Sequence, residues 1–261
     1  MRALVVSLLL GSVGLVPGAD KAEPKSLRVL SYNIHHGEGT DDKLDLPRVA
    51  EVIKGTRPDL VALQEVDRNT TRIRKVDQAA ELGKLTGMNV AFGKAIDLQG
   101  GEYGLAILSR FPIKSTKTDP LPGKEKQEAR IVMRAAIEPG RGLPALTFLN
   151  THLQHDDGET REKQVAKIDE LFGTADGPFV LAGDLNARPD SAPIKVLAKN
   201  WTFATEPGAK GLLTIPSDVP KHQIDYVLFR GTFKALEAKV IEEKVASDHR
   251  PVLTVLEWTG K

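Results

Sequence analysis

Cysteine is absent from all 261 residues. This excludes disulfides, thiolate metal sites and a cysteine nucleophile. Aromatics are scarce at 5%, and the two tryptophans, Trp201 and Trp258, lie far apart. No exposed aromatic hairpin of the kind that enters a bilayer is apparent. An excess of either charge is lacking too, with 36 basic residues against 35 acidic ones. Proteins that grip long nucleic acids usually carry a basic surface, so the balance argues against processive DNA contact. The four lysines between Lys114 and Lys126 read as solvated loop charge. HExxH, a P-loop and GxSxG are all missing, which sets aside the zinc-helix proteases, P-loop nucleotide hydrolysis and the serine nucleophile elbow. There are no fixed-period repeats and no low-complexity tract.

The most continuous apolar stretch lies at the start. Met1-Arg2 precedes Ala3 to Leu10, then Gly11 to Val16 and Pro17-Gly18-Ala19. One positive charge, a short apolar run and a small-residue site predict a secretory signal peptide over residues 1–19. The run is too short and too interrupted by glycine to span a bilayer. A secreted or periplasmic protein is expected, with no transmembrane anchor after cleavage. The cleaved chain holds 35 residues of each charge. Residues 20–26 read as a polar leader and residues 27–258 as one domain without an internal linker. With 41% apolar residues, a chain of this size can build its core without disulfides. A monomer with no obligate protein partner is expected.

Within the domain, Leu27–Tyr32, Pro58–Leu63, Asn89–Phe92, Gly104–Ser109, Arg130–Ile137, Ala145–Asn150, Pro178–Ala182, Ile224–Phe229 and Pro251–Glu257 predict strands. Helices are predicted over Asp45–Gly55, with Asp45 as cap, Pro47 in the first turn and Gly55 as stop; over Asp77–Leu85, ended by Gly87; over Glu159–Phe172; and, shorter, over Asp190–Lys199. Several strands follow one another with no helix between. An α+β domain with a mixed or antiparallel sheet arrangement follows.

The strand ends carry the chemistry. Apolar runs finish in Asn33-Ile34-His35-His36, Gln64-Glu65, Asn150-Thr151-His152 and Gly183-Asp184-Leu185-Asn186. In two later segments the polar groups come first: Asp225 precedes Tyr226–Phe229, and Ser247-Asp248-His249 precedes Pro251–Leu256. Strands of opposite direction would bring these starts and those ends to one polar rim. The six histidines, His35, His36, His152, His155, His222 and His249, all lie in or beside these segments and none lies on a predicted helix. Oxygen ligands such as Glu65 suit Mg²⁺ or Mn²⁺. Carboxylates, imidazoles and Asn donors around such an ion fit water-driven cleavage of a phosphate ester.

SYNIHHG, ALQEVD, YGLAILSR, NTHLQ, GDLNA, IDYV and SDHRPV, in that order, resemble the endonuclease/exonuclease/phosphatase superfamily, also called the deoxyribonuclease-I-like or synaptojanin-like fold. The resemblance covers roughly residues 27–257 and, with the N-terminal segment, suggests a secreted bacterial-type member. It implies a four-layer α/β/β/α sandwich of two mixed sheets flanked by helices. It also implies Glu65, Asn33 and Asp248 at the metal, Asp184 orienting or deprotonating the water, and Asn186 holding it. His249, paired with Asp225, would contact the phosphate, together with His152 and Tyr103. Arg130, in EARIVMRAAI, is a further phosphate contact by similarity. His35, read with Arg130 as a substrate contact, stands where some nuclease relatives have an acid, so ligation there differs. Leu105 stands where many relatives have Asn, and Glu128-Ala129-Arg130 lacks a middle Pro. The expected activity is a metal-dependent phosphodiesterase. Its substrate could be a phospholipid headgroup, a nucleic acid or a small phosphoester, with a nuclease as the alternative and a non-catalytic binding protein as the minor one.

Overall fold

The computed structural model describes residues 25–260. The predicted signal peptide and all but the last two residues of the predicted leader lie outside them. The elements run β1 (Ser26–Asn33), α1 (Leu46–Thr56), β2 (Leu60–Arg68), α2 (Gln78–Thr86), β3 (Asn89–Leu98), β4 (Gly101–Ser109), β5 (Ile113–Pro120), β6 (Ile131–Ile137), β7 (Leu146–His152), α3 (Gly158–Phe172), β8 (Phe179–Asp184), α4 (Ala192–Leu197), β9 (Thr202–Phe203), β10 (Asp225–Arg230), β11 (Phe233–Val240) and β12 (Val252–Trp258). Two six-stranded sheets form, in the orders β11-β12-β1-β2-β4-β3 and β5-β6-β7-β8-β10-β9. Both are mixed: β1 runs parallel to β2 and β7 parallel to β8, while the other neighbours are antiparallel.

Side-chain alternation along the strands builds the layers. Leu27 and Val29 of β1, Leu60 and Ala62 of β2, Phe148 of β7, Val180 and Ala182 of β8 and Val227 of β10 face inward and form the core between the sheets. The other parity faces outward. Leu30, Tyr32, Val61 and Leu63 meet Val49 and Ile53 of α1 and Ala79 and Leu82 of α2. Leu149, Leu181, Tyr226 and Leu228 meet Val165, Ile168 and Phe172 of α3 and Ile194 and Leu197 of α4. The α/β/β/α sandwich is therefore present. Each fully buried Leu, Ile, Val or Phe contributes about 1.5–3 kcal/mol from water exclusion, against a chain-entropy cost of similar total size. Among the described residues no helix is long and apolar enough to cross a membrane.

Helix starts follow their caps: the side chains of Asp45, Asp77 and Asp157 accept from the backbone N–H of Arg48, Ala80 and Thr160. Gly55 is not the stop predicted for α1; the helix runs through it and ends at Arg57, which takes the left-handed conformation at φ 48°. Gly87 does end α2, at φ 69°. The shortest predicted helix contracts to Ala192–Leu197. β5, read in the sequence as loop charge, is an edge strand paired only with β6; Lys114 to Thr118 are exposed, so its lysines are solvated on a strand. β11, also an edge, carries a bulge between Ala235 and Glu237 and lacks the burial alternation that would mark it.

Candidate active site

The inward parity that packs the core also aims the polar residues at the strand ends. Asn33 continues the Leu27–Val29 face of β1, His152 the Phe148 face of β7, Asp184 the Val180–Ala182 face of β8, and Asp225 the Val227 face of β10. Registers bring three of them side by side: His152 lies opposite Asp184 across the parallel β7–β8 pair, and Asp225 lies opposite Asp184 across the antiparallel β8–β10 pair. Gly183 permits the closeness, since a Cβ there would sit 2.1 Å from the carbonyl oxygen of Thr151. The facing sheet is fastened just beneath. The amide of Gln64 in β2 donates to Asn150 Oδ1 at 2.8 Å, and Asn150 Nδ2 donates to the carbonyls of Leu63 and Ala106 at 2.8 and 2.9 Å. Gln64 and Asn150, two strand-end polar residues, are thus engaged with each other rather than with the rim.

Asp184 is the hub. Its carboxylate accepts from Asn33 Nδ2 at 3.1 Å and from the backbone N–H of Asn186 at 2.8 Å. The Nε2 atoms of His152 and His249 lie 3.5 and 3.7 Å away. Burial, and after it the negative charge of Asp225, pushes the Asp184 carboxyl up to about 7. His249 contacts Asp225 Oδ2 through Nδ1 at 2.9 Å, and its backbone N–H donates to Ser247 Oγ. Burial works to lower its pKa, but the carboxylates of Asp225 and Asp184 outweigh it and push it up to about 10. His249 is therefore a cationic donor at neutral pH.

His152 is the opposite case. Arg130 Nη1 donates to its Nδ1 at 2.9 Å. A guanidinium can only donate, so the ring proton sits on Nε2, the nitrogen facing Asp184. Burial first, then the charges of Arg130, His249 and His155, hold its pKa well below the usual histidine range. Arg130 is itself buried and pairs with Glu128 at 2.9 Å. Burial raises the Glu128 carboxyl against the pull of that guanidinium. Asn186 stands at φ 46° and its amide donates to the carbonyl of Leu153.

On the other side of the rim the backbone is bent out of its ordinary regions. The β2–β4 register shifts between Leu63 and Val66, and within that bulge Glu65 takes φ 57°. His35 and His36 follow β1 at φ 45° and 43°. A left-handed non-glycine residue costs about 1–3 kcal/mol and persists only where its surroundings hold it. Here Asn33 does so, donating to Glu65 Oε1 at 3.0 Å and accepting from the His35 N–H at 3.1 Å. One ligating atom from each of His35, His36 and Glu65 lies within 4.8 Å of the other two. Carboxylate oxygen and imidazole nitrogen fit a divalent cation in size and charge, with a second lone pair of Asn33 Oδ1 in reserve. Burial, then the charges of Arg72 and His35, lower the His36 pKa and keep the ring neutral.

Glu65, Tyr103, Arg130, His152, Asp184, Asn186 and His249 line one cavity of about 370 Å³. Asn33 and Asp225 lie behind it through Asp184 and His249, and His35 joins Glu65. Asp248 is not brought into either close group of ligand atoms; its carboxylate accepts from Ser247 Oγ at 3.3 Å. His222 pairs instead with Arg188. Burial raises the Tyr103 pKa, with Glu65 and Glu128 adding to it. Sequence reasoning missed Arg72, Ile96, Leu98 and Glu128, which together with His155 complete the cavity wall. Arg72 grips the buried Asp67 carboxylate with two bonds of 2.7 and 2.8 Å and lies 5.7 Å from the Tyr103 ring centre. The signal was available in ALQEVD: an Asp at the end of a strand buried on both faces needs a cationic partner.

Comparison with known proteins agrees with this architecture. The chain is 26% identical to the protein YbhP of Escherichia coli K12 over 222 residues, covering 80% of this chain and 86% of YbhP. A solved endonuclease/exonuclease/phosphatase of Beutenbergia cavernae superposes with a TM-score of 0.74 at 24% identity, covering 90% of this chain and 72% of that one. The mannosyl-6-phosphatase Bt3783 of Bacteroides thetaiotaomicron superposes with a TM-score of 0.72 at 19% identity, covering 88% and 99%. Residues 30–249, which carry every strand-end motif described above, match the Endonuclease/Exonuclease/phosphatase family, and the chain belongs to that family.

Proposed function

We propose that the chain is a metal-dependent phosphoesterase, a phosphodiesterase that cleaves a P–O bond by water attack, and that it works outside the cytoplasm after loss of residues 1–19. The observation that carries this reading is the surrounding of Asp184: one buried carboxyl, pushed up to about 7, within 3.7 Å of two imidazoles that carry different charges. Two titratable groups driven apart by their environments are how acid and base roles are divided at neutral pH.

Mg²⁺ or Mn²⁺, held at Glu65 with Asn33 and His35 nearby, would supply the polarisation of a phosphoryl oxygen. The remaining steps belong to side chains. Asp184 takes a proton from the attacking water, for which a pKa near the working pH is favourable. His249, cationic through Asp225, donates to a phosphate oxygen and cannot serve as the base while protonated. His152 donates from Nε2, the tautomer fixed by Arg130. Asn186 and Tyr103 complete the set that meets the phosphate, and Arg130 adds positive charge behind His152.

The small cavity, the balanced charge and the apolar side chains Ile96 and Leu98 on its wall favour a compact phosphoester over a long polyanion. The same architecture serves a phosphomonoesterase in the Bacteroides mannosyl-6-phosphatase, so diester and monoester substrates belong in one test. The cleaved protein would be incubated with Mg²⁺, and then with EDTA, against bis-p-nitrophenyl phosphate, p-nitrophenyl phosphate, supercoiled plasmid and sphingomyelin. Asp184→Ala serves as the control. Hydrolysis of one class that vanishes with EDTA and in the variant supports the reading and names the substrate class. Equal hydrolysis by wild type and Asp184→Ala would overturn it.

A further inference from the structure

His35 and His36 both approach one residue, Glu38, and each ring keeps one nitrogen free of it. His35 Nδ1 lies 3.3 Å from the backbone carbonyl of Glu38. That nitrogen therefore carries the proton and leaves Nε2 unprotonated. His36 Nε2 lies 3.6 Å from the Glu38 carboxylate, while its Nδ1 is buried without a hydrogen-bond partner. A buried ring nitrogen with nothing to bind is unfavourable unless a ligand takes it up. Metal-binding histidines are held in this manner, one ring nitrogen on a carbonyl or carboxylate and the other on the ion.

The backbone supports the same conclusion. His36 is kept at its left-handed φ because Gln78 of α2 donates to its carbonyl at 2.6 Å while accepting from the Asp67 N–H at 2.9 Å. One glutamine thus ties the His36 loop to the strand that carries Glu65. Ligands at about 2.1 Å from one ion are at most about 4.2 Å apart. The 4.8 Å limit on the present group requires only a small inward movement.

We propose that His36 Nδ1 and His35 Nε2 ligate the cation beside Glu65, that Glu38 positions both rings, and that the site takes a first-row transition dication in preference to Mg²⁺. The proposal rests on the reading that a divalent cation sits at Glu65, and goes beyond it to the ion and its nitrogen ligands. Imidazole favours borderline ions, whereas Mg²⁺ demands oxygen and keeps its waters.

The test uses the full protein stripped with EDTA, titrated with Mn²⁺ and with Mg²⁺ by calorimetry, and the Mn²⁺ form read by pulsed paramagnetic resonance. Wild type is expected to bind Mn²⁺ at least about tenfold more tightly than Mg²⁺ and to show modulation from directly bound imidazole nitrogen. His36→Gln should weaken that modulation and lower Mn²⁺ affinity about tenfold or more, with Mg²⁺ affinity little changed. Glu38→Gln, which keeps both rings and the backbone carbonyl at His35 but removes the carboxylate beside His36 Nε2, should lower Mn²⁺ affinity by about tenfold. This positioning variant carries the test if His36→Gln does not fold, with circular dichroism of the metal-free proteins as the check. Oxygen-only coordination in wild type would overturn the proposal, as would unchanged Mn²⁺ affinity in both variants. If Glu65→Gln still abolished Mn²⁺ binding in that case, the phosphoesterase reading would stand while this one fell; Mn²⁺ binding that survived Glu65→Gln would overturn both.

Discussion

The two sides of the rim reach their geometry by different means. Around Glu65, His35 and His36 the backbone is bent, with φ between 43° and 57°, and the residues are partly exposed, although the His36 side chain is only 11% exposed. Asp184, His152 and Asp225 stand at the termini of ordinary strands, and these residues and His249 are 5% exposed or less. On the first side local strain aims the ligands, a task that needs convergence on a point. On the second, strand register already supplies convergence, and burial tunes proton affinity instead. A bent, open region suits an exchangeable ion; a straight, buried one suits fixed charges whose values must differ from those in water.

The largest effect should come from the buried side. Asp184→Asn, close in shape, is expected to lower kcat by about 10²–10⁴-fold while thermal melting is unchanged or raised, because a poorly solvated carboxyl is removed. A loss of both activity and melting temperature would mean that the residue is structural. His249→Gln is expected to cost about 10²–10³-fold in kcat, the value of one donor to a developing charge, measured on the substrate that the screen identifies.

The pH profile sharpens the contrast further. With Asp184 pushed up to about 7 and His249 to about 10, kcat/KM should rise as pH passes through about 7, where the base loses its proton. It should fall as pH passes through about 10, where the donor loses its charge. Asp225→Asn should bring the upper limb down towards neutrality; an upper limb unmoved in that variant would break the assignment. The smallest effect is expected from Arg72→Met, on the cavity wall. It leaves the buried Asp67 carboxylate without its two-bonded partner and should lower stability by about 1–3 kcal/mol, read by denaturant unfolding.

Parity made much of this legible before the fold was known. Apolar residues two apart, followed by Asp184, His152 or Asn33 on the same alternation, announce both the inward face and its polar end, and the ordered motifs name the family. What stayed hidden depended on backbone that no alternation encodes. The φ of His36 and of Glu65 turns their side chains toward one another, so His36 was visible only as a strand-end histidine and Glu38 had no signature in the sequence. Arg72 and Glu128 enter from irregular segments, where nothing periodic indicates direction. β5 and β11 were missed because an edge strand, wet on one side, need not alternate.

The Gln64–Asn150 fastening has a mechanical corollary. Two sheets joined only by interlocking hydrocarbon could creep past each other by fractions of an ångström at little cost, whereas directional bonds to Leu63 and Ala106 resist shear. The sheet that carries Glu65 and the sheet that carries Asp184 are thus bolted together from below, like the jaws of a tool about a fixed pin. Wall residues such as Ile96 and Leu98 can then change without altering the gap between the sheets.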